Sequence, residues 1–158
     1  MTPGVATRLF RTFTSPFRPA APSFTAFEKA VLEAVMGELD PPLCARFARR
    51  LAAVTRIRRA DGGRQVGVYQ KLKGRIVFPD ETRLTAADGD VLLARFTMIS
   101  RRTLSALQGQ VWLSDGNLSR LSFTQPTEHV QCDDIHRISA KLDGGFAAMR
   151  GPPAAGLV

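Results

Sequence analysis

Tryptophan and tyrosine occur once each in this 158-residue chain, as Trp112 and Tyr69, and histidine and cysteine only twice each. So thin a supply of aromatic planes, with no RNP-like or helix-turn-helix signature, gives nucleic acid no first claim as a partner. Two cysteines, Cys44 and Cys132, make no disulfide framework, and a chain of this size builds a core without staples. Cys44 lies beside Leu43 and Phe47 in a helical pattern and reads as a buried, inert thiol. A reducing, cytoplasmic setting is expected. Long apolar runs are missing too. The longest, around residues 91–94, falls far short of the roughly 20 residues that span a bilayer. The first residues hold no compact apolar stretch of the kind a secretory signal carries. No membrane contact is expected.

Catalytic signatures are missing in the same way. The chain has no G-x-S-x-G elbow, no H-E-x-x-H and no G-x-x-x-x-G-K-[ST]. Gly62-Gly63 stands alone, and Lys71-Leu72-Lys73-Gly74 lacks the strand–loop–helix setting that aims backbone amides at a phosphate. The densest set of ligand-type residues is His129-Val130-Gln131-Cys132-Asp133-Asp134-Ile135-His136. On a helix, His129, Cys132 and His136 would share a face at i, i+3 and i+7. A structural zinc site wants a fourth ligand, and no paired C-x2-C supplies one. The expectation is no enzyme, no catalytic residue, no metal and no cofactor.

What is present is an ordinary globular composition, 44% apolar with a mean hydropathy of −0.05. One domain of this length buries roughly 70% of its unfolded surface. The charge is less ordinary. The net value is +8, unevenly placed: residues 1–23 carry +3 with no acid, 24–55 are neutral, 56–83 carry +5, 84–125 carry +1 and 126–158 carry −1. Such an excess, gathered in the N-terminal segment and the first strands, suits an anionic partner.

Residues 1–23 read as a basic flexible arm. Pro3, Pro16, Pro19 and Pro22 bias their predecessors away from the helical region, and Phe10, Phe13 and Phe17 add stickiness. An acid-free, arginine-bearing N-terminus also matches an organellar transit peptide, but the prolines spoil the amphipathic helix such a peptide needs. Residues 24–145 read as a single domain and 146–158 as a frayed tail.

Within the domain, Thr25 and Glu28 have capping-box spacing, followed by Phe27, Val31, Leu32, Val35 and Leu39 at helical period. Asp40 caps a second helix with Pro41 at its first position, and Leu43, Phe47, Leu51 and Val54 form its stripe. From Thr55 the period changes to two. Val66 and Val68 alternate with Gly67 and Tyr69 after an Asp61-Gly62-Gly63 turn. Residues 75–78 make a short strand stopped by Pro79, and 82–90 read as a loop. Asp90–Ser100 reads as an inner strand. Strands at 110–114 and 118–124 flank Asp115-Gly116, a strong hairpin signal, with Trp112 on the face opposite Val111 and Leu113. The stretch Ile135–Leu142 reads as helical or irregular. This order predicts an α+β fold, an N-terminal αα-hairpin packed on a four- to five-stranded antiparallel sheet.

The motifs Phe24-Thr25-Ala26-Phe27-Glu28, with the proline-led second helix, and Asp115-Gly116-Asn117-Leu118-Ser119-Arg120-Leu121 resemble a group of small bacterial α+β proteins. The resemblance covers roughly residues 24–135 and rests on a helix cap and a hairpin turn. It implies the fold. The group has no assigned activity, so it implies nothing about function.

The basic residues are the functional lead. Arg46, Arg49 and Arg50 stand at i, i+3 and i+4 and so share one helix face, read here as the one opposite the apolar stripe. Arg56, Arg58, Arg59 and Arg64 follow closely. Guanidinium forks suit carboxylate or phosphate, although a merely solvated helix face would explain the same residues. The expected function is non-enzymatic: binding of another protein, by its acidic surface, to these seven arginines. The alternatives are a nucleic-acid-binding accessory protein and, third, a ligand-binding or enzymatic domain with a pocket between helices and sheet.

Overall fold

The structure, a computed structural model, describes residues 23–150. The expected arm, apart from Ser23, and the chain beyond residue 150 lie outside the described residues. Helix α1, Ala26–Met36, starts where its capping box closes. The Thr25 hydroxyl accepts from the Glu28 N–H at 3.1 Å, and Glu28 Oε1 accepts from the Thr25 N–H at 2.9 Å. Helix α2, Pro41–Ala52, starts at Asp40, whose carboxylate accepts from the Leu43 N–H at 3.2 Å. Both stripes turn inward: Phe27, Val31, Leu32, Val35 and Phe47 are buried.

The strands are β1 (Arg56–Ala60), β2 (Gln65–Tyr69), β3 (Lys71–Leu72), β4 (Arg75–Ile76), β5 (Asp90–Ser100), β6 (Ala106–Ser114), β7 (Asn117–Phe123) and β8 (Ile135–Leu142); helix α3 spans Gly144–Arg150. Six of the strands form one antiparallel sheet in the order β1-β2-β7-β6-β5-β8, while β3 and β4 make a separate hairpin. The fold is therefore α+β, with two N-terminal helices packed on an antiparallel sheet. Among the described residues, no helix is long and apolar enough to cross a membrane.

The sheet has six strands where four or five were expected, because Ile135–Leu142 is an edge strand and neither helical nor irregular. Half-buried Ile138, Ala140 and Leu142 alternate with exposed Arg137, Ser139 and Lys141, a period of two that helical packing cannot use. Packing also continues past residue 145. Phe146 of α3 is fully buried in the core cluster, so the chain is still packed where a frayed tail was expected.

One face of the sheet holds the core. Phe27 of α1, Phe96 of β5 and Phe123 of β7 form a trio with ring centroids 5.3–6.4 Å apart. Gly109 makes room for it, since a Cβ there would overlap the Phe96 ring and lie 2.5 Å from the Ser122 carbonyl oxygen. Α further link ties the sheet edge to α1. Buried Glu28 takes two hydrogen bonds from Arg59 of β1, at 2.6 and 2.9 Å. The hydrogen bond it donates to Glu28 raises the Arg59 guanidinium above its ordinary value; burial opposes this, and the Glu28 charge adds to it.

Candidate functional site

Helices cover only the core face of the sheet: α1 lies against β8 and β5, and the buried rings of α2 and α3, Phe47 and Phe146, join the core cluster. Among the described residues the other face is open. Strand register orders it into rows. One row runs Arg58, Gly67, Arg120, Trp112 and Leu92 across β1, β2, β7, β6 and β5. The next runs Ala60, Gln65, Ser122, Gln110, Arg95 and Lys141 out to β8. None of these residues is buried. Arg56 on β1 and Arg137 on β8 extend the face at either edge.

The open face is strongly one-signed. It carries Arg56, Arg58, Arg95, Arg120, Arg137 and Lys141, while Asp90, at its end beside Ser114, is the acid in its register. Asp143 reaches in from beyond β8 to pair with Arg95 at 2.8 Å. Beyond the end of β2, the separate β3–β4 hairpin carries exposed Lys71, Lys73 and Arg75 together with exposed Leu72 and Ile76. Between the cations lies an open polar groove of about 430 Å³, lined among others by Gln65, Gln108, Gln110, Ser122 and Thr124.

Both of the chain's large polar aromatics stand on this face. The Tyr69 ring lies back across Gly67, where a Cβ would come within 2.6 Å of the phenol oxygen. Trp112 packs against Arg120, whose guanidinium carbon is 5.0 Å from the ring centroid. Alternation along β2 and β6 already placed Tyr69 and Trp112 away from the core. What local sequence could not provide is the order of strands that puts only β7 between them.

The seven arginines expected to make one patch are dispersed. Arg56 and Arg58 are exposed on the open face, and Arg49 is exposed on α2. Arg46 donates to the carbonyls of Asp80 and Arg83, at 3.3 and 3.1 Å, and so ties α2 to the loop beneath it. Arg59 points to the opposite side of β1, to Glu28, and Arg64 reaches Asp61 at 3.5 Å.

Arg50 corrects the expectation outright, because it lies at 0% exposure rather than on a surface with Arg46 and Arg49. Its Nε donates to the Leu118 carbonyl and its Nη1 to Gln70 Oε1, both at 3.1 Å, and Phe78 lies 5.9 Å from the guanidinium. Burial pushes its pKa down to about 10. The missed signal is positional: residue 50 completes the series 43, 47, 50, 54 on the apolar side of α2.

The histidine-rich segment is not a helix. His129 lies in a loop, Cys132–Asp134 is a single 3-10 turn and His136 stands in β8. Among the described residues no group of three or more His, Cys, Asp or Glu side chains is arranged to hold a metal ion. Cys44 is half-buried and packs against the core. Against known proteins the chain matches no family model, no curated protein and no solved structure.

Proposed function

We propose that this chain is a non-enzymatic binding module that docks an acidic macromolecule on the helix-free face of its sheet. The observation that carries the reading is the charge of that face, six cations on four strands with Asp90 at one end. A solvated surface of an ordinary domain mixes both signs. Here one sign is concentrated where, among the described residues, no helix packs, and the field of such a surface steers a polyanion toward it. Arg56 and Arg58, expected from the sequence, belong to the site; Arg95, Arg120, Arg137 and Lys141 join them, while Arg50 and Arg59 serve the core and the helix cap.

Retention on immobilised heparin tests the reading. The triple variant Arg58→Glu, Arg137→Glu, Lys141→Glu should elute at distinctly lower salt than an equal reversal at Arg49, Arg101 and Arg102, which are exposed residues off the face. Equal elution of the two variants would show that only net charge matters and that the face is no site.

A further inference from the structure

Resting on that reading, we infer that the row from Arg58 to Trp112 is a stacking lane for single-stranded RNA. The chain's sole tyrosine and sole tryptophan share this open face, with Arg120 on the strand between them. Adjacent strands are roughly 4.8 Å apart, so β2 and β6, which carry the two rings, lie about 10 Å apart across two strand spacings. The Tyr69 ring lies against Gly67, where a Cβ would stand 2.6 Å from the phenol oxygen and 2.9 Å from two ring carbons, and it is half-buried, so part of it stays open to solvent. The Arg120 guanidinium already sits against Trp112, and its Nε is buried without a hydrogen-bond partner. An aromatic–guanidinium–aromatic series with arginines at its flank is the pairing of flat platforms and backbone charge that unpaired bases use.

Two further features select among polyanions. A broad open sheet face has no helix or ribbon to enter the groove of a duplex, and stacking requires bases free of their partners. Beside the lane, the row of Gln65, Ser122 and Gln110 supplies uncharged donors and acceptors, the chemistry that reads a ribose 2′-hydroxyl or a base edge. An acidic protein surface would use the arginines and leave the rings and amides idle.

The test titrates the full chain with a 12-mer of oligouridylate, the matching oligothymidylate, a duplex RNA of equal length and polyglutamate. Oligouridylate should quench Trp112 emission, a readout that needs no variant. By anisotropy of labelled RNA, Tyr69→Ala and Trp112→Ala should each weaken binding about tenfold, with circular dichroism showing the fold intact. Affinity should fall linearly in log–log salt, as counterion release requires. The lane is overturned if oligouridylate leaves Trp112 emission unchanged, if Tyr69→Ala binds like wild type, or if duplex RNA or polyglutamate binds as tightly. Oligothymidylate binding equal to oligouridylate overturns the assignment to RNA. Should the RNA fail while heparin retention still depends on Arg58, Arg137 and Lys141, the lane is wrong and the acidic-partner reading stands. If that dependence is lost too, both fall.

Discussion

Replacing Arg50 with alanine, beside Arg49→Ala as its control, asks what two adjacent arginines contribute when one is exposed and the other is fully buried. Arg50→Ala removes two well-formed hydrogen bonds, to the Leu118 carbonyl and the Gln70 side chain. Bonds from a charged donor contribute about 1.5–3 kcal/mol each. A third, to the Val77 carbonyl at 3.4 Å, is too long to add much. The void left against Phe78 costs about 2 kcal/mol more. Opposing these losses is the relief of a buried charge that has no carboxylate partner. A pKa pushed from its ordinary value down to about 10 corresponds to about 3 kcal/mol against the charged form. Because the folded value is the lower one, that cost is fully present below about pH 10 and fades only as pH rises from there toward the unfolded value. The balance is a net loss of about 2–5 kcal/mol for Arg50→Ala and about 0–3 kcal/mol for Arg50→Met, which keeps the volume. Arg49→Ala should stay within about 0.5 kcal/mol of wild type. Urea unfolding followed by circular dichroism and Trp112 emission measures all three. If Arg50→Ala proves as neutral as Arg49→Ala, Arg50 is not a core residue and the packing of α2 described above is wrong.

Glu28→Ala breaks the helix cap and the Arg59 pair together and should cost about 2–4 kcal/mol, read as a lower urea midpoint with an unchanged slope. Gly109→Ala should destabilise by about 2–3 kcal/mol, because neither the Phe96 ring nor the Ser122 backbone can retreat freely; a neutral result in calorimetry would show a looser core. His129→Ala combined with His136→Ala should leave stability within about 0.5 kcal/mol, both side chains being exposed. Chelation should likewise leave Tm where it is, and a fall of several degrees would mark a metal bound to this segment.

Local chemistry was readable wherever it was local in the chain. Thr25 with Glu28, Asp40 with Pro41 and Asp115 with Gly116 each specify an end or a turn by a bond that spans three residues or fewer, and each is found. Arg50 was misplaced because arginine is rarely buried without a carboxylate, so its type outvoted its position in the 43, 47, 50, 54 series. Strand β8 is obscured by its composition: His136, Arg137, Ser139 and Lys141 are interspersed among only four half-buried apolar residues, Ile135, Ile138, Ala140 and Leu142. The open face was illegible for a different reason. Its rows are assembled by pairings such as Gly67 with Arg120 and Arg95 with Lys141, which join segments distant in sequence and leave no mark in either one.

The pairing of β2 with β7 also has a consequence for how the protein is made. On the edge of β2 away from β1, the partner of Gly67 is Arg120, about 50 residues downstream. At a synthesis rate of about 5–20 residues per second, the hairpin of β1 and β2 waits roughly 3–10 s for the strand that closes it. Strands β5, β6 and β7 are joined by short turns and pair as they emerge, whereas the N-terminal third must hold Val66, Val68 and the apolar side of its helices uncovered throughout that interval. Such long-range closure places this domain among slow folders for its size. Its folded yield is therefore expected to depend on how Val66, Val68 and the apolar side of the helices are shielded during those seconds.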